Sequence, residues 1–299
     1  MNNVKSNFSI KDLENLSGIK AHTIRIWEKR YNLLQPNRTE TNIRYYNLAN
    51  LQKLLNVTFL YNHGYKISKI AKLGEGRIPQ VVNEIVAESS AKGAAINSFK
   101  MAMLNFDQTL FFNTYNGLLK EKSFREIFYD VFIPLLTEMG LLWQTDTITP
   151  SHEHFISAMI KQKILVNTEK LQMTRPKNKS KTFVLYLPDN EVHELGLMYI
   201  NYEILLHGYH AIFLGQSIPV ESLKDLLPLY DDLIFVSYFT VRPTKDDIHD
   251  YLEDFNKQIL SNNGEELWLL GKMLKELDES ALPKKIKAFH SIVEFVEKL

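Results

Sequence analysis

The feature that most constrains this chain is a change of period near residue 181. From there onward, short apolar runs at 182–187, 211–214, 233–236, 267–270 and 286–289 alternate with helix-length segments at 194–207, 219–227, 244–260 and 272–278 and with a last helix from about Ser291. Strands that alternate with helices at this spacing predict a parallel, doubly wound sheet of the flavodoxin-like or Rossmann-like kind. Such sheets bind ligands beyond the carboxyl ends of their strands.

The first strand runs into Leu187-Pro188-Asp189-Asn190-Glu191-Val192-His193-Glu194-Leu195-Gly196, where a histidine stands between two carboxylates. A lone His-x-x-Gly is a weak signal, because histidines at strand ends are commonly just hydrogen-bonded loop residues. The Asp231-Asp232 pair precedes the third strand. That is the wrong end of the sheet for a phosphoacceptor, which argues against a response regulator.

The chain has 299 residues, 45% of them hydrophobic and 11% aromatic, enough for the cores of two or three modest domains. Cysteine is absent, which removes disulfides, thiolate metal sites and cysteine nucleophiles together. No apolar run reaches the roughly eighteen residues of a membrane span and the N-terminus is polar, so a cytoplasmic protein with no membrane partner is expected. Net charge is zero, but Met1 to Gly74 holds twelve Lys and Arg against four Asp and Glu. A head of +8 on a body of −8 predicts that the head alone meets a polyanion.

Within that head, Phe8, Ile10, Leu13 and Leu16 mark a helix with Ser9 as its N-cap, Ser17-Gly18-Ile19 makes a tight turn, and a basic helix follows over 21–31. Helix, glycine turn and basic second helix form the helix-turn-helix pattern. A hairpin over 34–46 and a helix through Leu60 come next. The series Thr23-Ile24-Arg25-Ile26-Trp27-Glu28-Lys29-Arg30-Tyr31, Leu33-Leu34, Pro36, Arg38, Arg44-Tyr45-Tyr46 closely resembles the winged-helix domain of the MerR family of transcriptional regulators, over about residues 8 to 73. The expected contacts are Arg25, Arg30, Arg38, Arg44 and Tyr45, mostly to phosphate, with Lys20 and His22 reading bases. Basic clusters often only solvate a small domain. Here they fall on the recognition helix and the wing together.

Two glycines and a proline in Leu73-Gly74-Glu75-Gly76-Arg77-Ile78-Pro79 argue against the long dimerising helix of many family members. The sequence then reads as a bundle of about four helices, with segments at 80–88, 92–104, 107–120, 123–142 and 151–173 and a kink at Pro134. Trp143 is followed, after nine residues, by Glu153-His154. Taken alone, the tryptophan reads as a core residue and the Glu-His pair as solvated. The spacing, however, is similar to the signature of the helical cap in cobalamin-dependent MerR-type photoreceptor regulators, the CarH and LitR group. That resemblance implies that Trp143, Glu153 and His154 line the upper face of adenosylcobalamin. Gln144 stands where light-sensing members can carry a histidine.

In the same light, Glu191, His193 and Gly196 resemble the Asp-x-His-x-x-Gly motif of cobalamin-binding domains. The resemblance makes His193 the lower axial ligand of cobalt, Glu191 the partner that fixes its tautomer, and Gly196 the opening for the nucleotide tail. Ser237, Gly271 and Gly215 are the further expected contacts, from a reduced Ser-x-Leu element, a reduced Gly-Gly element and the end of strand two. Lys272, in place of the second glycine, would either crowd the tail or contact its phosphate.

Three domains are therefore expected: 1–76 winged helix-turn-helix, 77–175 helical cap and 181–299 cobalamin-binding sheet. Together they imply a repressor whose oligomerisation and DNA affinity follow adenosylcobalamin, with a light response put in doubt by Gln144. Its partners would be palindromic or repeated half-sites on double-stranded DNA and its own copies, as dimer or tetramer. The alternatives are a cobalamin-independent repressor controlled by an antirepressor protein, or a corrinoid carrier module of a methyltransferase. Turnover is not expected, because no acid, base or nucleophile set is visible.

Overall fold

A computed structural model describes residues 7–74, 76–88, 92–144, 147–260, 264–277, 279 and 282–299. The backbone separates into two compact units, 1–160 and 161–299. The division falls inside a single helix, Pro150–Gln172.

In the first unit, β1 (Asn7–Phe8) leads into α1 (Ile10–Ser17). Ser9 and Asp12 cap α1 reciprocally, each side chain taking the other's backbone amide, and Gly18 ends it in the left-handed region at φ 74°. The second helix, α2 (Ala21–Tyr31), buries Ile24 and Trp27. Next come β2 (Asn37–Arg38) and β3 (Arg44–Asn47), followed by α3 (Leu48–Asn62) and the short α4 (Ile67–Ile70). The expected hairpin is the β2–β3 part of an antiparallel sheet in the order β1-β3-β2. Strand β1 was not foreseen, because two residues are too few to show a period. Phe8, Tyr46, Leu51 and Leu54 are fully buried with Ile24 and close the small core.

The helices α5 (Arg77–Glu88), α6 (Lys92–Asn105) and α7 (Gln108–Leu118) begin the bundle. The expected helix over 123–142 is three pieces: α8 (Phe124–Ile127), a π-helical turn at Phe128–Phe132, and α9 (Ile133–Gln144). The Ile133 amide donates to Phe128 O, five residues back, immediately before Pro134. Proline offers no amide to continue the α ladder, and the π turn absorbs the mismatch just ahead of it. The last helix of this region is α10 (Pro150–Gln172). Phe99, Phe111 and Phe132 pack ring on ring in the bundle core, with centroids 4.9 Å apart for Phe99–Phe111 and 5.5 Å for Phe99–Phe132. Asn15 of α1 donates to Thr147 Oγ1 at 3.0 Å, which ties the helix-turn-helix to the α9–α10 connection.

The second unit is the expected parallel sheet. Its strands are β4 (Asn178–Tyr186), β5 (Tyr209–Gly215), β6 (Leu233–Tyr238), β7 (Glu266–Leu270) and β8 (Ile286–Ala288), in the order β5-β4-β6-β7-β8 and all parallel. Helices α11 (Leu195–Leu206), α12 (Ile248–Gln258) and α13 (Ile292–Val296) pack on its faces. The segments read as helices at 219–227 and 272–278 are 3-10 turns, Val220–Leu226 and Lys272–Glu276, because short pieces do not repay α-helix nucleation. One face buries Phe235, Phe239, Leu252 and Phe255, and the other Leu197, Ile200, Val236 and Trp268. The order in which successive strands are added reverses between β4 and β6, the switch point where ligands of open α/β sheets sit.

Candidate functional site

The β4 end carries the Glu191–His193 pair to that switch point. Glu191 is fully buried, and both its oxygens are engaged. Oε1 accepts the amides of Val192 and His193 at 2.9 and 3.0 Å and lies 2.6 Å from His193 Nδ1. Oε2 accepts the amides of Thr240, Val241 and Arg242 at 3.2, 2.7 and 2.8 Å, so one carboxylate joins the β4 loop to the β6 loop. Burial pushes the Glu191 carboxyl up, but the amides of Arg242, His193 and Val241 and the His193 ring outweigh it and hold the group below its ordinary 4.5. A carboxylate on Nδ1 fixes the ring's orientation and leaves Nε2 as the nitrogen that faces away from Glu191.

The His193 side chain is 52% exposed. Its Nε2 has no hydrogen-bond partner among the described residues, and Val192 and Val241, whose amides share the Glu191 carboxylate, have exposed side chains. Among those residues no three His, Cys, Asp or Glu side chains gather into a metal cage. A single imidazole on an apolar rim is a poor site for a free ion but suits a metal already held in a planar macrocycle, which the ring nitrogens supply with most of its ligands.

The expected tail contacts lie differently. A Cβ built on Gly196 would meet the Tyr238 ring at 2.8 Å, so the space that glycine leaves is filled by Tyr238. Ser237 is fully buried and donates to Tyr186 O at 2.9 Å. Gly271, at φ 117°, lets the Phe239 backbone approach where a Cβ would lie 2.2 Å from Phe239 O. Gly215 adopts φ 88° at the end of β5 and its carbonyl receives the Leu187 amide. Lys272 is exposed.

In the first unit, Trp143 stands in the last turn of α9 and is 56% exposed. Glu153, in the first turn of α10, accepts from Ser157 Oγ at 2.9 Å and lies 3.4 Å from His154 Nδ1. The His154 side chain is 81% exposed. The histidine built into the fold here is His152, buried against Phe106 with its Nδ1 accepting the Thr149 amide at 3.1 Å. The Gln144 side chain lies outside the described residues.

On the head, Lys20, His22, Arg25, Arg30, Arg38 and Arg44 are exposed and Tyr45 is half-buried. Arg38 Nη1 donates to Asn42 Oδ1 at 2.6 Å and holds the wing turn. Arg44 lies 3.9 Å from Glu28, which also accepts the Tyr46 hydroxyl, so the wing is fastened to α2 through one carboxylate. Lys20 pairs with Glu14 at 3.3 Å, and the Arg30 guanidinium sits over the Tyr31 ring. Arg25 makes no hydrogen bond or ion pair among the described residues.

A winged helix with a basic recognition helix has the form of a reader of double-stranded DNA, and the doubly wound sheet places His193 at the switch point where such sheets take their ligands. Comparison with known proteins agrees. Residues 8–76 match the family model for the MerR HTH family regulatory protein, and residues 95–166 match that for a B12 binding domain. The chain thus joins a MerR-type DNA-binding domain to a B12-binding domain. It is 28% identical over 242 residues to the HTH-type transcriptional repressor CarH of Myxococcus xanthus, across 77% of this chain and 78% of that one. It is 24% identical over 239 residues to the HTH-type transcriptional repressor CarA of the same organism, across 78% and 77%. The Methanosarcina barkeri monomethylamine corrinoid protein has the same fold over 69% of this chain and 96% of its own, with TM-score 0.56 and 11% identity. Among the described residues, no helix is long and apolar enough to cross a membrane.

Proposed function

We propose that this protein is a cytoplasmic transcriptional repressor whose oligomerisation and hold on DNA are set by adenosylcobalamin. The observation that carries the reading is the Glu191–His193 pair at the switch point, on a chain that joins a MerR-type head to a B12-binding domain. In this reading His193, oriented by Glu191, would hold the cobalt through Nε2, and Trp143, Glu153 and His154 would be the cap's contacts to the corrinoid. The corrinoid, when bound, would supply a light-sensitive cobalt–carbon bond, and Gln144 stands where light-sensing relatives can carry a histidine. Lys20, His22, Arg25, Arg30, Arg38, Arg44 and Tyr45 meet the operator. The division of labour is 1–76 for DNA, 77–175 for the cap and 181–299 for the corrinoid.

An oligomer, dimer or tetramer, sets several basic heads on palindromic or repeated half-sites and multiplies their affinity without new contacts. The test is spectroscopic. Protein mixed with adenosylcobalamin in the dark should retain a coloured, base-off corrinoid through gel filtration, and His193→Ala should alter that spectrum. DNA binding and oligomer size are then measured with and without the corrinoid and after illumination. Colourless wild-type protein defeats the cofactor reading. It would leave the second reading, a repressor controlled by an antirepressor protein, which the filling of the Gly196 space by Tyr238 favours.

A further inference from the structure

The solvent face of α2 is a single stripe. His22, Arg25, Ile26, Lys29 and Arg30 are exposed at the i, i+3, i+4, i+7, i+8 spacing of one side of a helix, while Ile24 and Trp27 turn inward. At about 100° per residue, Arg25 and Arg30 lie about 140° apart round the axis and form the two margins, with His22, Ile26 and Lys29 between them. Four of the five carry a cationic or titratable group. The fifth, Ile26, is 48% exposed.

Single exposed apolar side chains are ordinary on protein surfaces. What sets Ile26 apart is its place midway between two arginines. Lys11 and Lys20 are paired with Glu14, and Arg44 with Glu28, whereas Arg25 and Lys29 form no hydrogen bond or ion pair among the described residues. A helix laid in the major groove has a phosphate backbone on either side and base edges beneath it. Margins so far apart turn Arg25 and Arg30 toward the two backbones, and the midline toward the bases. His22 and Lys29 can hydrogen-bond there. Ile26 cannot, and against the oxygens, nitrogens and amino groups of the bases it would strip water without replacing the lost hydrogen bonds. The apolar group that the major groove does offer is the C5 methyl of thymine.

We infer that Ile26 is a specificity-determining residue, which selects a thymine in each operator half-site by packing on its methyl group. The inference rests on the reading of α2 as the helix that meets the operator, and not on the corrinoid. Burying one methyl is worth about fourfold in affinity. The cations on the stripe attract any duplex, so this contact adds preference for sequence to an attraction that has none.

The test lets the full-length chain, with and without adenosylcobalamin, enrich duplexes from a randomised pool. Each thymine of the enriched duplex is then replaced by deoxyuridine, which removes the C5 methyl and nothing else. Affinities are measured for wild type, Ile26→Ala and Ile43→Ala, beside thermal melts. Ile43 is exposed on the wing, away from the α2 stripe, and is the matched control. In wild type, deoxyuridine at one thymine of a half-site should weaken binding by about fourfold. In Ile26→Ala the same replacement should change nothing, because the methyl has already lost its partner, whereas Ile43→Ala should keep the whole fourfold loss. A wild type that tolerates deoxyuridine at every thymine overturns the inference while α2 remains a DNA-binding helix. A loss that persists in Ile26→Ala overturns it too, as does complete loss of binding in that variant, which exceeds the worth of one methyl. Should Ile26→Ala not fold, Ile26→Gln, a good helix former without the branched apolar end, takes its place with the same expectation. If wild type enriches no duplex under either condition, the operator reading fails and the role of Ile26 with it.

Discussion

Glu191 Oε1 lies 2.6 Å from His193 Nδ1, while Oε2 of the same carboxylate takes the amides of Val241 and Arg242 at 2.7 and 2.8 Å. The residue that orients the imidazole thus also pins the β6 loop. One side chain thus bridges the loop after β4 and the loop after β6.

Removing that carboxylate should therefore be felt twice. Glu191→Ala leaves five backbone amides and an imidazole without their acceptor, and a loss of about 2–4 kcal/mol in urea unfolding is expected from several stranded donors. If His193 holds the cobalt as proposed, corrinoid affinity should also fall by roughly 10- to 100-fold, the usual effect of removing the partner of a metal-ligating histidine. Unchanged stability in Glu191→Ala would show that water replaces the carboxylate freely.

The same group makes stability depend on pH with a defined sign. Its folded pKa is lowered below the ordinary 4.5, so the contribution is fully present above that value and is lost as pH falls through the folded pKa. Urea unfolding of wild type and Glu191→Gln between neutral pH and the acid range should show a gap that is constant above 4.5 and closes below it. A gap that widens on acidification would contradict the assignment.

Ser237 offers a sharper choice between structure and ligand. Its buried hydroxyl donates to Tyr186 O at 2.9 Å, so Ser237→Ala should cost about 1 kcal/mol of stability, the worth of an ordinary hydrogen bond. The corrinoid spectrum and affinity of the variant should stay at wild-type values. A loss of affinity without a loss of stability would return Ser237 to the ligand.

On the head, Arg25 is exposed and makes no hydrogen bond or ion pair among the described residues, whereas Arg44 is shared with Glu28. Arg25→Ala should weaken operator binding at unchanged thermal stability and reduce the slope of log affinity against log salt by about 0.9, the value of one phosphate contact. Arg44→Ala should lower stability as well. Titrations at several salt concentrations, beside thermal melts, separate the two.

Much of this was legible in residue order. The five strands announced themselves as apolar runs, and the contact of Glu191 with His193 Nδ1 could be expected from their order. The amides of Thr240 to Arg242 were not, because backbone groups some fifty residues away from Glu191 carry no side-chain pattern. The burial of Ser237 could have been read from strand alternation, which puts it on the face of Phe235 and Phe239, toward a packed core. Tyr238 falls on the opposite face by the same rule, but only coordinates reveal that it lands on Gly196. His152, beside the Glu-His pair, gave no sign that it would be the buried one.

The π turn at Phe128–Phe132 amounts to one surplus residue inside an otherwise α-helical path. Each residue advances an α-helix by about 100°, so everything in α9 faces about 100° away from where an uninterrupted helix would aim it. Trp143 is at the far end of that lever. A one-residue deletion within 128–132 would straighten the path, yet it would swing the indole round the helix axis, so the reach of this tryptophan is written fifteen residues before it.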